Sequence, residues 1–405
     1  MAKGMSRREF VQRSAGVAAL AGIGGSFLAA CGSGGSSSST ASIPLARLDQ
    51  PVTLPDNGVD PVKSGLKPET GTLKVLNYAD YISPDTVKKF EAAHGVKVEI
   101  STYDTEDKLL ADLRNKKLKI DLVIGATTLN LPKDVAGGLI QPLNREYLPN
   151  FSNVLTSLQS PYYDVGSKYT IPYTVYTTGI AYRRDIIDDS KFAGDDSWKL
   201  LWDPAYKGYV GLIDDMREVL TLGMYYLGLH DTNTGDPAVI SKAEKQIDAL
   251  VKATDARFDI NAYQKIPEGT SHINQAWSGD MLSATGYLPE GTKPEVLGYW
   301  KPTHTTVAND FHVIPARSER PVLAHALIDF LLVPANAQEN FATVGYQPAV
   351  NKPNGPDLIA ADLVPPQLST SLVTNADVSG GYRLDALSRD VEKLWSDAYS
   401  RITAG

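Results

Sequence analysis

The sequence predicts an α/β protein with more than one globular domain, and three observations carry that expectation. From Leu73 onward, short apolar runs alternate with stretches of helical period. One run, Ile120-Asp121-Leu122-Val123-Ile124, is almost continuously apolar, as a strand covered on both faces of a parallel sheet must be. The chain has 405 residues, of which 42% are hydrophobic, more than a single minimal core needs.

The elements follow in order. Leu73 to Asn77 reads as a strand, and Pro84 to His94 as a helix with Val87 and Phe90 on one face, closed by Gly95. Val96, Val98 and Ile100 alternate as a second strand; Leu109, Leu110 and Leu113 mark a second helix before the Ile120 run. These segments predict a βαβαβ unit with a parallel sheet. Ser241-Lys242-Ala243-Glu244 has the spacing of a capping box and predicts the start of a helix bearing Ile247, Leu250 and Val251. Pro321 to Leu332 reads as an amphipathic helix, and Leu387, Val391, Leu394, Trp395 and Ile402 as a long terminal one.

The first 70 residues are different. Ser6-Arg7-Arg8-Glu9-Phe10-Val11 has the form of a twin-arginine export pattern and leads into the small, apolar stretch Ser14 to Ala30. Leu28-Ala29-Ala30-Cys31 resembles a lipobox, which implies a signal over 1–30, removed before Cys31, and lipidation of that cysteine. A spanning helix is the alternative, but 17 residues with four glycines fall short of the ~20 that a bilayer core requires. Residues 31–70, Gly/Ser-rich and then Pro-rich, read as a flexible lipid-anchored linker.

Composition excludes several functions. With 39 Lys+Arg against 47 Asp+Glu, the net charge is -8, and no basic run is present, so a nucleic-acid partner is not expected. Cys31 is the only cysteine, which excludes an intrachain disulfide and any multi-cysteine metal site. The six histidines lack metal-ligand spacing, and no Gly-x-Ser-x-Gly or His-Glu-x-x-His is present, so neither a metal, a cofactor nor enzymatic chemistry is expected.

A series of short motifs runs from about residue 71 to 355. These are Asn77-Tyr78-Ala79-Asp80-Tyr81, Asp121-Leu122-Val123, Ile171-Pro172-Tyr173, Leu201-Trp202-Asp203-Pro204, Asp214-Asp215-Met216-Arg217-Glu218, Trp277-Ser278-Gly279-Asp280 and Gly345-Tyr346-Gln347-Pro348. In order and approximate spacing the series resembles the spermidine/putrescine-binding family of bacterial ABC importers. The resemblance implies a type II periplasmic-binding-protein fold, with two α/β lobes, a hinge and an interlobe cleft. Residues 71–174 and 281–335 would form lobe 1, and 175–280 and 336–405 lobe 2. It further implies capture of a polyamine-like cation for a membrane permease by a lipid-anchored monomer.

Such a ligand needs carboxylates for its ammonium groups and aromatic faces for its methylenes. The residues expected to supply them are Tyr78, Asp80, Tyr81, Thr128, Asp215, Glu218, Trp277, Asp280, Asp310 and Gln347. Asp215 and Glu218 also have the spacing of a helix cap, Asp215 at the N-cap and Glu218 at N3; Asp280 has no such alternative. Trp198 and Trp202 read as core. Departures from the family bear on the ligand: Gly125-Ala126-Thr127-Thr128-Leu129 lacks the usual ring, Ala308-Asn309-Asp310 keeps the acid but not the Trp, and the ring expected after the capped helix is assigned to Phe258 only by position. A shorter diamine, a guanidino compound or an amino-acid derivative would fit as well. Ferric iron held by Tyr162-Tyr163 or Tyr225-Tyr226 and an exported hydrolase are the remaining alternatives.

Overall fold

The structure is a computed structural model and describes residues 45–194 and 197–404. The export pattern and Cys31 lie outside the described residues.

β1 (Thr72–Asn77), α1 (Pro84–His94), β2 (Lys97–Thr102), α2 (Glu106–Arg114) and β3 (Leu122–Ala126) form a βαβαβ unit, parallel, with strand order β2-β1-β3. α1 starts where the Ser83 hydroxyl accepts from the Thr86 N–H and stops at Gly95, in the left-handed region at φ 67°. β3 is buried along its whole length, as its apolar run requires. β2 departs from expectation: its alternation predicts one buried face, but it ends the sheet as an exposed edge, leaving Ile100 39% exposed.

After α3 (Leu131–Ala136) comes β4 (Ile171–Arg183), then β5 (Val210–Ile213), α4 (Met216–Tyr226), α5 (Pro237–Thr254), β6 (Arg257–Asp259), α6 (Ala262–Glu268), β7 (Ile273–Trp277), α7 (Ser278–Ala284) and β8 (Leu297–Trp300). The chain continues with β9 (Val307–Val313), α8 (Pro321–Leu331), α9 (Pro334–Val344), β10 (Gln347–Pro348), α10 (Gly355–Ala360), α11 (Asn375–Gly380) and α12 (Arg389–Thr403). α5 begins one turn earlier than the Ser241 spacing predicts, because Asp236 caps the Ala238 N–H with Pro237 in the first turn, a stronger start than an internal serine.

The 13-residue β4 belongs to both lobes. Its first half, to Thr177, pairs with β9, and its second half, from Thr178, pairs with β7 and β8. One core gathers Phe90, Leu122, Ile124, Ile171, Leu323 and Ile328; another gathers Ile180, Leu201, Leu220, Ile247, Leu250 and Trp395. Burying a side chain such as the fully covered Trp395 contributes on the order of 2–3 kcal/mol. The lobe boundaries differ from those expected. Ala337, Val344, Ala349 and Val350 pack in the first core, while Leu297 and Tyr299 pack beside Ala181 and Ala276, and Trp300 joins the second core. The pairing of β8 and β9 with opposite halves of β4 moves the chain's return to 301–306, past the Trp277 motif.

Residues 45–70 also depart from expectation, since they are not a free tether. Val52 and Leu54 are buried in a cluster with Leu76, Tyr103 and Tyr163. The Val52 N–H donates to Tyr162 O, the Tyr169 hydroxyl to Pro55 O, and the Glu69 carboxylate accepts from the Val322 and Leu323 N–H groups at the start of α8. A stretch without its own hydrophobic period is held because its few apolar residues and its backbone find partners on the first lobe.

Candidate functional site

The ends of β1, β3, β5 and β7 and the start of α2 open onto one cavity of about 440 Å³ between the two halves of β4, at the carboxyl ends of strands, where open α/β sheets place ligands. On the first-lobe side, Tyr78 follows β1 and packs against Tyr103, with ring centroids 4.3 Å apart. Gly125, at φ +93°, makes room: a Cβ there would lie 2.9 Å from the Tyr78 ring. The small segment after β3 thus admits a ring from β1 instead of supplying its own. Tyr81 is buried, and its hydroxyl donates to Asp310 Oδ2 at 2.7 Å; Tyr176 on β4 donates to Asp310 Oδ1 at 2.9 Å.

On the second-lobe side the acids stand at helix starts. Asp215 is the N-cap of α4 and accepts from the Arg217 and Glu218 N–H groups at 2.8 and 3.0 Å. Glu218 does not complete a capping box. Its Oε1 accepts from Thr178 Oγ1 at 3.0 Å and Trp277 Nε1 at 2.9 Å, and its buried Oε2 has no partner among the described residues. Asp280 accepts from the Tyr346 hydroxyl at 2.7 Å and lies in the first turn of α7. A backbone hydrogen bond from Trp277 also reaches its carboxyl, so Asp280 does have the helix-start role that its sequence position had been read to lack. Gly279 lies directly beneath the Tyr346 ring and leaves no room for a Cβ.

Burial raises the carboxyls of Glu218, Asp280 and Asp310 to about 7 and lifts Asp215 above its ordinary value. The cause is desolvation of the charged form, only partly offset by tyrosine, tryptophan and backbone donors. Carboxyls dominate the lining, and its cations are Lys108, paired with Asp112, and Arg383, whose guanidinium donates to the backbone oxygens of Gly381, Tyr382 and Val378. Such a site can bind a cation without chemistry: a bound positive charge would restore the ionised forms that burial disfavours.

Nine of the expected residues line this cavity: Tyr78, Asp80, Tyr81, Thr128, Asp215, Glu218, Trp277, Asp280 and Asp310. Asp80 is an exposed rim residue that accepts from the Tyr287 hydroxyl at 3.1 Å, and the Thr128 hydroxyl donates to Leu384 O at 3.0 Å. Gln347 is not brought to it. Both ends of its amide bond the Val373 backbone, Nε2 to the carbonyl and Oε1 from the N–H. The neighbouring Tyr346 reaches the cavity in its place, because alternate residues of an extended segment face opposite ways. Phe258 packs edge-on against Tyr399 in the second core, and Tyr263 lines the cavity instead. Trp198 is core, while Trp202 is half-buried with its Nε1 donating to Gln246 O.

Sequence reasoning also missed Tyr103, Glu106 and Tyr176. Tyr176 lies three residues beyond the quoted Ile171-Pro172-Tyr173, and Tyr103 and Glu106 stand at a strand end like that of Tyr78, the position that could have revealed them. The tyrosine pairs considered for iron have other partners: Tyr162 donates to Asp385, Tyr163 accepts from Asn309, and Tyr225 is bonded to Thr306.

Known proteins resemble the chain over most of its length. The spermidine/putrescine-binding periplasmic protein of Salmonella typhimurium is 29% identical over 342 residues, covering 83% of this chain and 93% of the relative. The putrescine/cadaverine-binding protein of Pseudomonas aeruginosa is 28% identical over 338 residues, covering 80% and 92%. The structure of a spermidine/putrescine ABC transporter substrate-binding protein from Streptococcus pneumoniae superposes with a TM-score of 0.66 at 24% identity, covering 83% of this chain and 99% of the other, which establishes the two-lobe α/β fold. Residues 85–363 match the model of the bacterial extracellular solute-binding proteins, and the chain belongs to that family.

Proposed function

We propose that this protein captures polyamine-like organic cations in its interlobe cavity and delivers them to an ABC permease, held to the outer face of the cytoplasmic membrane by a lipid on Cys31. The observation that carries the ligand class is Glu218. Its carboxyl is buried, one oxygen is saturated by Thr178 and Trp277, and among the described residues the other has no partner and no cation of the lining neutralises it. An ammonium group supplies both the missing donor and the missing charge, and the Tyr78, Tyr81 and Trp277 rings enclose methylenes. The ligands named for the Salmonella and Pseudomonas relatives support the same class. Closure turns on the residues around Thr177–Thr178 and on 301–306, with differential affinity for the closed state as the driving force.

Calorimetry with putrescine, spermidine, agmatine and basic amino acids tests the ligand class. Binding of a neutral sugar or an anion with no response to any amine would sink it. A zwitterionic amino-acid derivative is the second reading, favoured by Arg383 in the lining, although its guanidinium is occupied by backbone oxygens. For the anchor, Cys31→Ser should move the protein from the membrane fraction to the soluble envelope fraction with amine affinity unchanged; retention in the membrane would favour an uncleaved helix.

A further inference from the structure

Two carboxylates of the cavity, Asp104 and Glu106, have no counterpart among the motifs of the sequence, and Glu106 is the less exposed of them. Glu106 is the first residue of α2, set there by the Thr105 side chain, which caps the Lys108 N–H. It lines the cavity with Tyr78 and Tyr103 on the first-lobe side, and Glu218 lines it on the second. Its backbone carbonyl and its Oε2 accept from Asn130 Nδ2 at 2.9 and 3.3 Å, and its buried Oε1 has no partner within hydrogen-bond distance among the described residues. Among the described residues no cation around it is left for it, since Lys108 pairs with Asp112 and Lys133 reaches Asn130 and Glu392; the Tyr103 hydroxyl donates to Ile124 O, and the Thr127 hydroxyl is a neutral donor that brings the carboxyl no counter-charge.

Each side of the cavity thus presents one buried carboxylate oxygen without a partner, Glu106 Oε1 on the first lobe and Glu218 Oε2 on the second. Burial and the carboxylates of Asp134 and Asp310 raise the Glu106 carboxyl to about 8, with Thr127 acting weakly the other way and Asp215 adding to the rise. Glu106 therefore feels acids of both lobes through the same low-dielectric space. A singly charged ligand can neutralise only one of the two carboxylates. We infer that Glu106 anchors a second cationic group, so that the site selects organic dications over monocations of the same carbon skeleton. This rests on the cationic-ligand reading above and extends it to charge number.

Putrescine and n-butylamine share a four-carbon chain and differ by one ammonium group, so their affinities, measured by calorimetry or by competition, isolate the effect. Glu106→Gln should weaken putrescine binding about tenfold or more and leave n-butylamine within about threefold, since the amide keeps the size and loses the charge. Glu106→Asp, which keeps the charge but withdraws it by one methylene, should lower the putrescine preference by less and provides a second folded variant. Equal weakening of both amines in either variant, or no change in the putrescine preference, would overturn the assignment of Glu106 while leaving the cationic reading in place. Wild-type protein that binds neither of these nor spermidine, agmatine or a basic amino acid would overturn the cationic reading itself and this inference with it.

Discussion

The two sides of the cavity hold their acids by different means. On the second lobe, Asp215 caps α4 and Asp280 stands in the first turn of α7, where backbone N–H groups and the helix dipole favour a carboxylate, and Glu218 accepts from two neutral side-chain donors. On the first lobe, Asp310 lies within β9, with no helix start to help it, and depends on the hydroxyls of Tyr81 and Tyr176. The second lobe therefore gives Asp215 and Asp280 part of their support locally, from backbone N–H groups two or three positions away. The first lobe assembles its support from the segment after β1, from β4 and from β9, which meet only in the folded chain.

That contrast predicts opposite responses to neutralisation, and here the largest effect is expected. Glu218→Gln keeps an acceptor for Thr178 and Trp277 and places its amide at the oxygen that lacks a partner. It should weaken amine binding by about 2 to 5 kcal/mol and leave the ligand-free melting temperature unchanged or higher. Asp310→Asn cannot accept from both tyrosines in the same way, so it should lose binding and also about 1 to 3 kcal/mol of stability. Calorimetry and thermal melts on both variants check this; equal melting losses would erase the distinction between the two sides.

The strap that residues 45–70 form on the first lobe gives a second test. Leu54, 3% exposed, shares a cluster with Tyr103 and Leu76. Leu54→Ala should cost about 2 to 4 kcal/mol of stability in denaturant melts, with a smaller loss of amine affinity, because the supporting core is disturbed and the carboxyls are not. A larger effect on affinity than on stability would mean that residues 45–70 act on the site itself.

Acidity distinguishes the charged cavity from an ordinary surface. For Glu218, Asp280 and Asp310 the folded values near 7 exceed those of the unfolded chain. Between about pH 4 and 7 the folded state thus holds protons that the unfolded state has released, and this part of the stability falls as pH rises. His312, buried and pushed down to about 3, acts the other way below about 6.5, so the comparison is best made between variants. The melting temperature of Glu218→Gln relative to wild type should rise from pH 5 to 8. Amine affinity of the wild type should rise over the same window, because the cation binds the ionised forms and displaces their protons. A flat difference would remove Glu218 from the titrating set.

How much of this was legible in the sequence follows from the same contrast. The βαβαβ unit, the α1 boundaries and the second-lobe acids rest on local patterns, and Asp215, Glu218, Trp277 and Asp280 meet in the cavity as their motifs imply. The first-lobe side was legible only in part. Tyr78, Tyr81 and Asp310 stand in motifs, but Tyr176 and Tyr103 complete the wall through pairings and ring contacts that no local spacing records. Glu106 looks like an ordinary first-turn helix acid until Asn130 and Tyr78 are folded beside it. The strap was misread for the same reason, since its apolar residues find their partners far along the chain.

Gln347 offers the smallest effect and separates a motif residue from a site residue. It shares a motif with Tyr346, yet its amide closes two hydrogen bonds with Val373 and anchors the segment that follows α10 to β10 on the first-lobe half of β4. Gln347→Ala leaves the Val373 N–H and C=O to find other partners, which should cost about 1 to 2 kcal/mol of stability. Amine affinity should stay within about threefold, because no atom of Gln347 faces the cavity. Tyr346→Phe makes the complementary change: it spares the fold, removes the donor to Asp280 and pushes that carboxyl further toward its neutral form, so the loss should appear in binding and grow as pH falls below about 7. If Gln347→Ala impaired binding more than Tyr346→Phe, the side chain that enters the site would have been assigned to the wrong residue of the pair.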